Sequence, residues 1–235
     1  MDAIWRAMAS AGTMLWGMDA RLLEVIELSL RVSLAAVLIA ALIGLPLGAA
    51  VALQRFPGRR LIIVILNALM GLPPVVVGLL VYLMLSRSGP FGVLNLLFTP
   101  AAMIIAQVIL VLPIIVSLSR ETLETLWGEY EEALRSLAAT PWQALATLLW
   151  DGRFMLVTAL LAGFGRAIAE VGAVMIVGGN IDHVSRVMTT SIALEASKGN
   201  LSIALGLGLV LLLLSLSVNI AAYGLRLFGE ARNPA

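Results

Sequence analysis

The chain has 235 residues, 61% of them hydrophobic and 12% charged, with a formal net charge of +1 and a mean hydropathy of +1.04. That composition excludes an ordinary soluble domain and marks an integral membrane protein, for which no nucleic-acid partner is expected. The absence of cysteine excludes disulfides, thiolate metal sites and thiol catalysis.

Residues 1–21 contain no continuous apolar core of the signal-peptide kind. Ile4, Trp5, Met8, Leu15 and Trp16 fall near one helical face, which fits a short helix in the membrane interface and equally a first helix packed on a bundle. Asp19 reads as an N-cap for the helix that feeds the first apolar run. Apolar runs long enough for a hydrocarbon core of about 30 Å recur near 32–53, 61–85, 101–118, 156–177 and 203–225. The expected fold is therefore all-α: a polytopic membrane protein with five transmembrane helices, a membrane domain over 22–230 and a short tail over 231–235.

Between the first two runs, Arg55, Arg59 and Arg60 crowd a short loop, which marks the cytoplasmic side. Alternation then places the N-terminus outside, and residues 120–153 and the C-terminus in the cytoplasm. Within the second run, Pro73 and Pro74 remove two amide donors and disfavour helix at Leu72. Such a break survives at membrane depth only where protein or a wet cavity satisfies the freed carbonyls, so it reads either as a pathway element or as a structural kink. Asn67, Gln107 and Asn219 read as interhelical hydrogen-bond glue; Gln107 and Ser117 are weaker pathway candidates.

The polar island 120–153 follows the third run. Glu121, Glu124, Glu129, Glu131 and Glu132 occupy a first helix, and Thr140-Pro141-Trp142-Gln143 combines an N-cap Thr, a first-turn Pro and a Gln three residues after the cap. Trp142, Leu145, Ala146 and Leu149 then form an amphipathic stripe. Two short helices joined by a tight bend are expected to project as a knob.

In the fourth run, Arg166 and Glu170 are four residues apart on one expected helical face. Ionisable groups in a bilayer cost several kcal/mol, so the two read as an internal ion pair or as part of a gate. Gly163, Gly165, Ala169, Gly172 and Ala173 permit close approach of another helix, at an interior or a dimer interface. The exterior segment 178–202 contains helix-compatible spacing over 184–197 (Val187, Ile192, Leu194), expected to cap a vestibule. His183 is the only histidine and reads as a surface residue.

The only lysine, Lys198, stands in Ser-Lys-Gly and not in a phosphate-binding loop. No nucleophile–base or metal constellation appears, so the chain is read as no enzyme and as needing no cofactor. Five spans make a thin wall for a pathway, which favours a dimer.

Glu132-Ala133-Leu134, with Ala138 in a Gly place, resembles the cytoplasmic signature of ABC importer permeases. Leu134, Ala138 and Trp150-Asp151 depart from it, and Ala, nearly as small as Gly, preserves close packing if Ala138 has ordinary helical dihedrals. The stretch 163–181 is similar to a span of the oxyanion permeases for molybdate, sulfate and especially tungstate, and so are Gly71-Leu72-Pro73-Pro74-Val75-Val76-Val77-Gly78 and segments of 186–199. The resemblance implies an importer permease in the cell membrane that acts as a homodimer with two separate ATPase subunits and an extracytoplasmic oxyanion-binding protein. It implies that Glu129, Glu131, Glu132, Ala133, Arg135, Ala138, Ala139, Thr140 and Pro141 couple to the ATPase, leaving Pro73, Pro74, Arg166 and Glu170 as pathway or gate candidates. An ion-gradient-driven secondary transporter and a non-transporting anchor remain the other readings.

Overall fold

The computed structural model describes residues 20–232, with the side chains of Ala20, Ala222 and 225–232 left aside. The expected interfacial helix over 1–21 and the end of the expected tail lie outside the described residues. Among those described, nine α-helices and no strand occur: α1 Ala20–Leu53, α2 Arg59–Leu69, α3 Pro74–Leu85, α4 Pro100–Ser136, α5 Pro141–Asp151, α6 Arg153–Ile168, α7 Gly172–Gly178, α8 Met188–Ser197 and α9 Leu201–Arg232.

Three helical stretches are long and apolar enough to cross a membrane alone, Arg21–Leu53, Pro100–Ser136 and Leu201–Ala221. Two bent pairs raise the number to five if each is one span: α2 with α3, turned by 99°, and α5 with α6, turned by 69°. The multi-pass all-α architecture expected from composition is thus present, but only the first, third and fifth runs are continuous.

The long helices α1 and α4 form the spine. Their apposition is close: a Cβ on Gly48 would run into Ser119 Oγ, and one on Gly44 would lie 2.9 Å from Ile115 Cγ2. Small residues allow this approach, and dispersion over the whole seam stabilises it where lipid supplies no hydrophobic drive. Around the spine, α3 and α7 bury Val77, Val81, Val174 and Val177 against Met103, and α6 buries Phe164 and Ile168 against Val111 and Ile115. At one end, α8 is held by Leu22, Met188, Leu207 and Val210. At the other, α5 seats Leu148 on Ala49, Ala52 and Leu123. Outward faces keep large apolar side chains, such as Leu38 and Leu42 on α1 and Leu212 on α9, exposed in the single chain. This is the surface that a bilayer or a second protein would cover.

Two side-chain contacts fix relative sidedness. Arg59 reaches Glu124 on α4 at 2.7 Å, joining the arginine loop to the polar island. His183 meets Glu24 of α1 at 2.8 Å, joining the 179–187 loop to the opposite end.

Three local expectations are corrected. The fourth run is not one helix: α6 ends at Ile168 and α7 begins at Gly172. The first helix of the island is the continuation of α4, whose 37 residues extend about 55 Å, well beyond a hydrocarbon core of about 30 Å. The helix expected over 184–197 starts at Met188, and its first turn, Met188 to Ser191, is buried inside the bundle instead of lying over it.

Candidate coupling surface and helix breaks

The knob begins where α4 stops. Ala139 N–H donates to the Leu134 carbonyl and Ala138 N–H to that of Arg135, both at 3.0 Å. With Ala138 at φ +50°, this is the Schellman ending, in which the left-handed residue is usually Gly. The condition of ordinary helical dihedrals at Ala138 is therefore not met: the Gly place is a turn position, and alanine occupies it under strain. Leu134, the other departure, is buried, whereas Glu132 and Ala133 on the same turn are exposed.

The next helix starts as its sequence requires. Thr140 is the N-cap, Pro141 follows, and the Gln143 side chain accepts from the Thr140 N–H at 2.8 Å while its own N–H donates to Thr140 Oγ1 at 3.4 Å. The buried stripe of α5 is rotated from the expected one: Leu145 and Leu149 pack partly buried against the core as expected, but Ala144 and Leu148 are the buried residues, Ala146 is exposed and Trp142 is 80% exposed. Leu137 is 79% exposed, so the exposed face of the knob carries two large apolar side chains. Glu129, Arg135 and Ala138 are exposed around this face, Ala139 is half-buried, and Arg135 pairs with Glu131 at 2.6 Å. Spacing alone could not show this rotation, because Trp142 fits either face and the core that selects one comes from α1 and α4.

The Pro73–Pro74 break is where α2 ends and α3 begins. The Pro73 carbonyl, at the N-cap of α3, accepts from Val76 and Val77 at 3.1 and 3.2 Å, and of the carbonyls four residues before the prolines that of Leu69 accepts from the Leu72 N–H at 3.2 Å. The second break, at residues 169–171, packs beside the first: a Cβ on Gly78 would sit 2.8 Å from Ala173 Cα, and one on Gly172 2.9 Å from Val75 Cγ2. Tertiary structure thus sets the first turns of α3, which follow Pro73 and Pro74, against the start of α7, which follows Glu170.

Glu170 is 3% exposed, and both of its carboxylate oxygens have a partner. One carboxylate oxygen accepts from Arg166 at 2.7 Å and the other from the Ala173 N–H at 3.0 Å, so it both balances a charge and caps the start of α7. Its carbonyl accepts from Thr189 Oγ1 of α8 at 2.8 Å. The neighbouring Ala167 carbonyl accepts from Gln107 Nε2 of α4 at 3.0 Å. Irregular backbone within the bundle is thereby satisfied by side chains of two other elements, as a low-dielectric setting demands. Arg166 and Glu170 are indeed paired, but across a helix end and not along one helical face. The guanidinium side chain keeps 31% exposure; Arg166 is thirteen residues past the start of α6, about 20 Å along its axis.

Of the glycine-rich face, Gly163 and Gly172 meet other helices and Gly165 meets nothing within 4 Å. Gln107 is interhelical glue as expected; Asn219 bonds only within its own helix, and Asn67 is exposed. His183 is exposed. Sequence reasoning missed the pivotal position of Thr189 and the groove of about 350 Å³ lined by Glu121, Thr122, Thr125, Met155 and Thr158 between α4 and α6. An isolated threonine carries no signal until a partner carbonyl is placed opposite it.

Residues 44–226 match the family described as binding-protein-dependent transport system inner membrane component. The chain is 45% identical over 185 residues to a probable anion ABC transporter permease protein of Haloferax volcanii, covering 77% of this chain and 80% of that one. It is 40% identical over 226 residues to the tungstate uptake system permease protein of Peptoclostridium acidaminophilum, covering 96% and 99%. A sulfate transport system permease protein of Synechocystis is 31% identical over 170 residues, covering 69% and 62%.

Proposed function

The chain belongs to the family of binding-protein-dependent transport inner membrane components, and on that premise we propose that it is the permease subunit of an ATP-driven importer for a tetrahedral oxyanion, tungstate ahead of molybdate or sulfate. Near-full-length identity with the tungstate uptake permease supports that order. Two copies would enclose the pathway, each carrying one ATPase on its knob, with a binding protein at the far end supplying substrate and most of the selectivity. The arginine loop and the knob then face the cytoplasm, as does the C-terminus, while the N-terminus lies outside.

The observation that carries the coupling role is the construction of the knob. Its outer face presents Leu137 and Trp142, while its inner face is seated on α1 and α4 through Leu148, Ala49, Ala52 and Leu123. A rigid seat transmits displacement, so closure of the ATPases on Glu129 to Pro141 moves the membrane ends of α1 and α4. The Arg166–Glu170 pair serves in this reading as a staple that keeps the α6–α7 break in shape. The break beside Pro73 and Pro74 supplies the wall that changes between inward-open and outward-open states, and the threonine-lined groove of α4 and α6 lines the cytoplasmic exit.

Co-purification with the ATPase tests the reading. Trp142→Asp should abolish ATPase retention and oxyanion-stimulated ATP hydrolysis in the reconstituted complex while the permease itself remains folded, since the side chain is 80% exposed. Oxyanion uptake by the permease alone, driven by an ion gradient, would show it to be a secondary transporter and end the proposal.

A further inference from the structure

Beside the α6–α7 break lies a small pocket of about 10 Å³, lined among others by Ser29 and Ser33 of α1, Gln107 of α4, Glu170 and Thr189. That volume admits the centre of a single water-sized molecule. Gln107 is 4% exposed, and its amide orientation is fixed because Nε2 donates to the Ala167 carbonyl; a flipped amide would set oxygen against oxygen. Its Oε1 meets no protein donor.

The hydroxyls of Ser29 and Thr189 are already committed as donors. Ser29 donates to the Val25 carbonyl at 2.6 Å, and Thr189 donates to the Glu170 carbonyl. Each oxygen of the Glu170 carboxylate accepts one hydrogen bond and retains capacity for another. The pocket is therefore lined by an unpartnered acceptor, Gln107 Oε1, and by two residues, Glu170 and Ser33, whose side chains have hydrogen-bonding capacity left.

We propose that this cavity binds one water molecule that donates to Gln107 Oε1 and to the Glu170 carboxylate and accepts from Ser33. The charge balance selects water over a cation, because Arg166 already neutralises Glu170. An oxyanion is excluded by size and by the carboxylate. The water joins α4 and α1 to the break and completes the set of side-chain bonds that holds it, so Gln107 is a positioning residue for the break.

The test is a structure of the assembled transporter at a resolution that reveals ordered water, for the wild type and for Gln107→Met, each also soaked in thallium(I). The expected result is one peak about 2.7–3.2 Å from Gln107 Oε1, lost in Gln107→Met and without anomalous signal. A well-ordered Gln107 with no peak, a peak that persists in Gln107→Met, or a thallium signal at the site would each overturn the proposal. Should Gln107→Met fail to assemble, the wild-type maps alone decide, through the presence of the peak and its anomalous signal.

Discussion

Replacing Ala138 by Gly should stabilise the protein, although it deletes a methyl group and touches nothing else. Ala138 holds φ +50° at the left-handed position of the turn that ends α4, where an L-residue with a Cβ pays about 1–2 kcal/mol. Glycine removes that strain but makes the unfolded chain more flexible, at a cost of about 0.4–1 kcal/mol. The net gain is about 0.5–1 kcal/mol, which for a chain of this size is roughly 1–4 °C in Tm. Both turn bonds come from backbone N–H groups, so they survive the change, and ATPase binding should survive with them. Thermal unfolding of the purified permease in detergent, followed by tryptophan fluorescence, reads the shift. Ala139→Gly is the control: this neighbour is absent from the positive-φ residues, so glycine there should lower Tm. Ala138→Val should lower it further, because a β-branched side chain is worse still at positive φ. A lower Tm for Ala138→Gly than for wild type, or a neutral Ala138→Val, would refute the strain argument.

The other predictions concern the cap and the two breaks. Thr140→Ala should cost about 1 kcal/mol by removing the reciprocal cap with Gln143, detected as faster hydrogen exchange confined to the first turn of α5. Glu170→Gln should destabilise by about 2–3 kcal/mol, below the usual cost of breaking a buried pair because Arg166 keeps partial exposure. The double variant Arg166→Gln/Glu170→Gln should recover much of that loss, and a double variant less stable than Glu170→Gln alone would contradict the staple reading. Gly78→Val should cost at least 1–3 kcal/mol by overpacking, since the first added carbon already lies 2.8 Å from the backbone of Ala173; normal yield and Tm would argue against this packing.

Local chemistry was legible wherever a few consecutive residues decide the outcome. The helix start at Thr140 needs only its own first turn, and the break at Pro73 and Pro74 needs only missing amide donors, so both appear where the residues place them. The second break was hidden because Gly-Ala-rich sequence at 163–173 is compatible with continuous helix. Its end at Ile168 is held by Gln107, Thr189 and the Glu170 carboxylate, groups that lie 60, 19 and 3 residues from the atoms they bond.

The sequence by itself determined membrane residence, an all-α architecture, the grouping of the arginine loop with the polar island, and a helix–turn–helix knob. These arise from hydropathy, charge placement and capping, which are properties of contiguous residues. Only the tertiary structure decided which face of α5 is outward, that alanine stands at a left-handed turn position, and that the breaks of two spans meet at one place. Those outcomes depend on packing α1, α4, α6, α7 and α8 against one another, where the Ala167 and Glu170 carbonyls take their partners from remote parts of the chain.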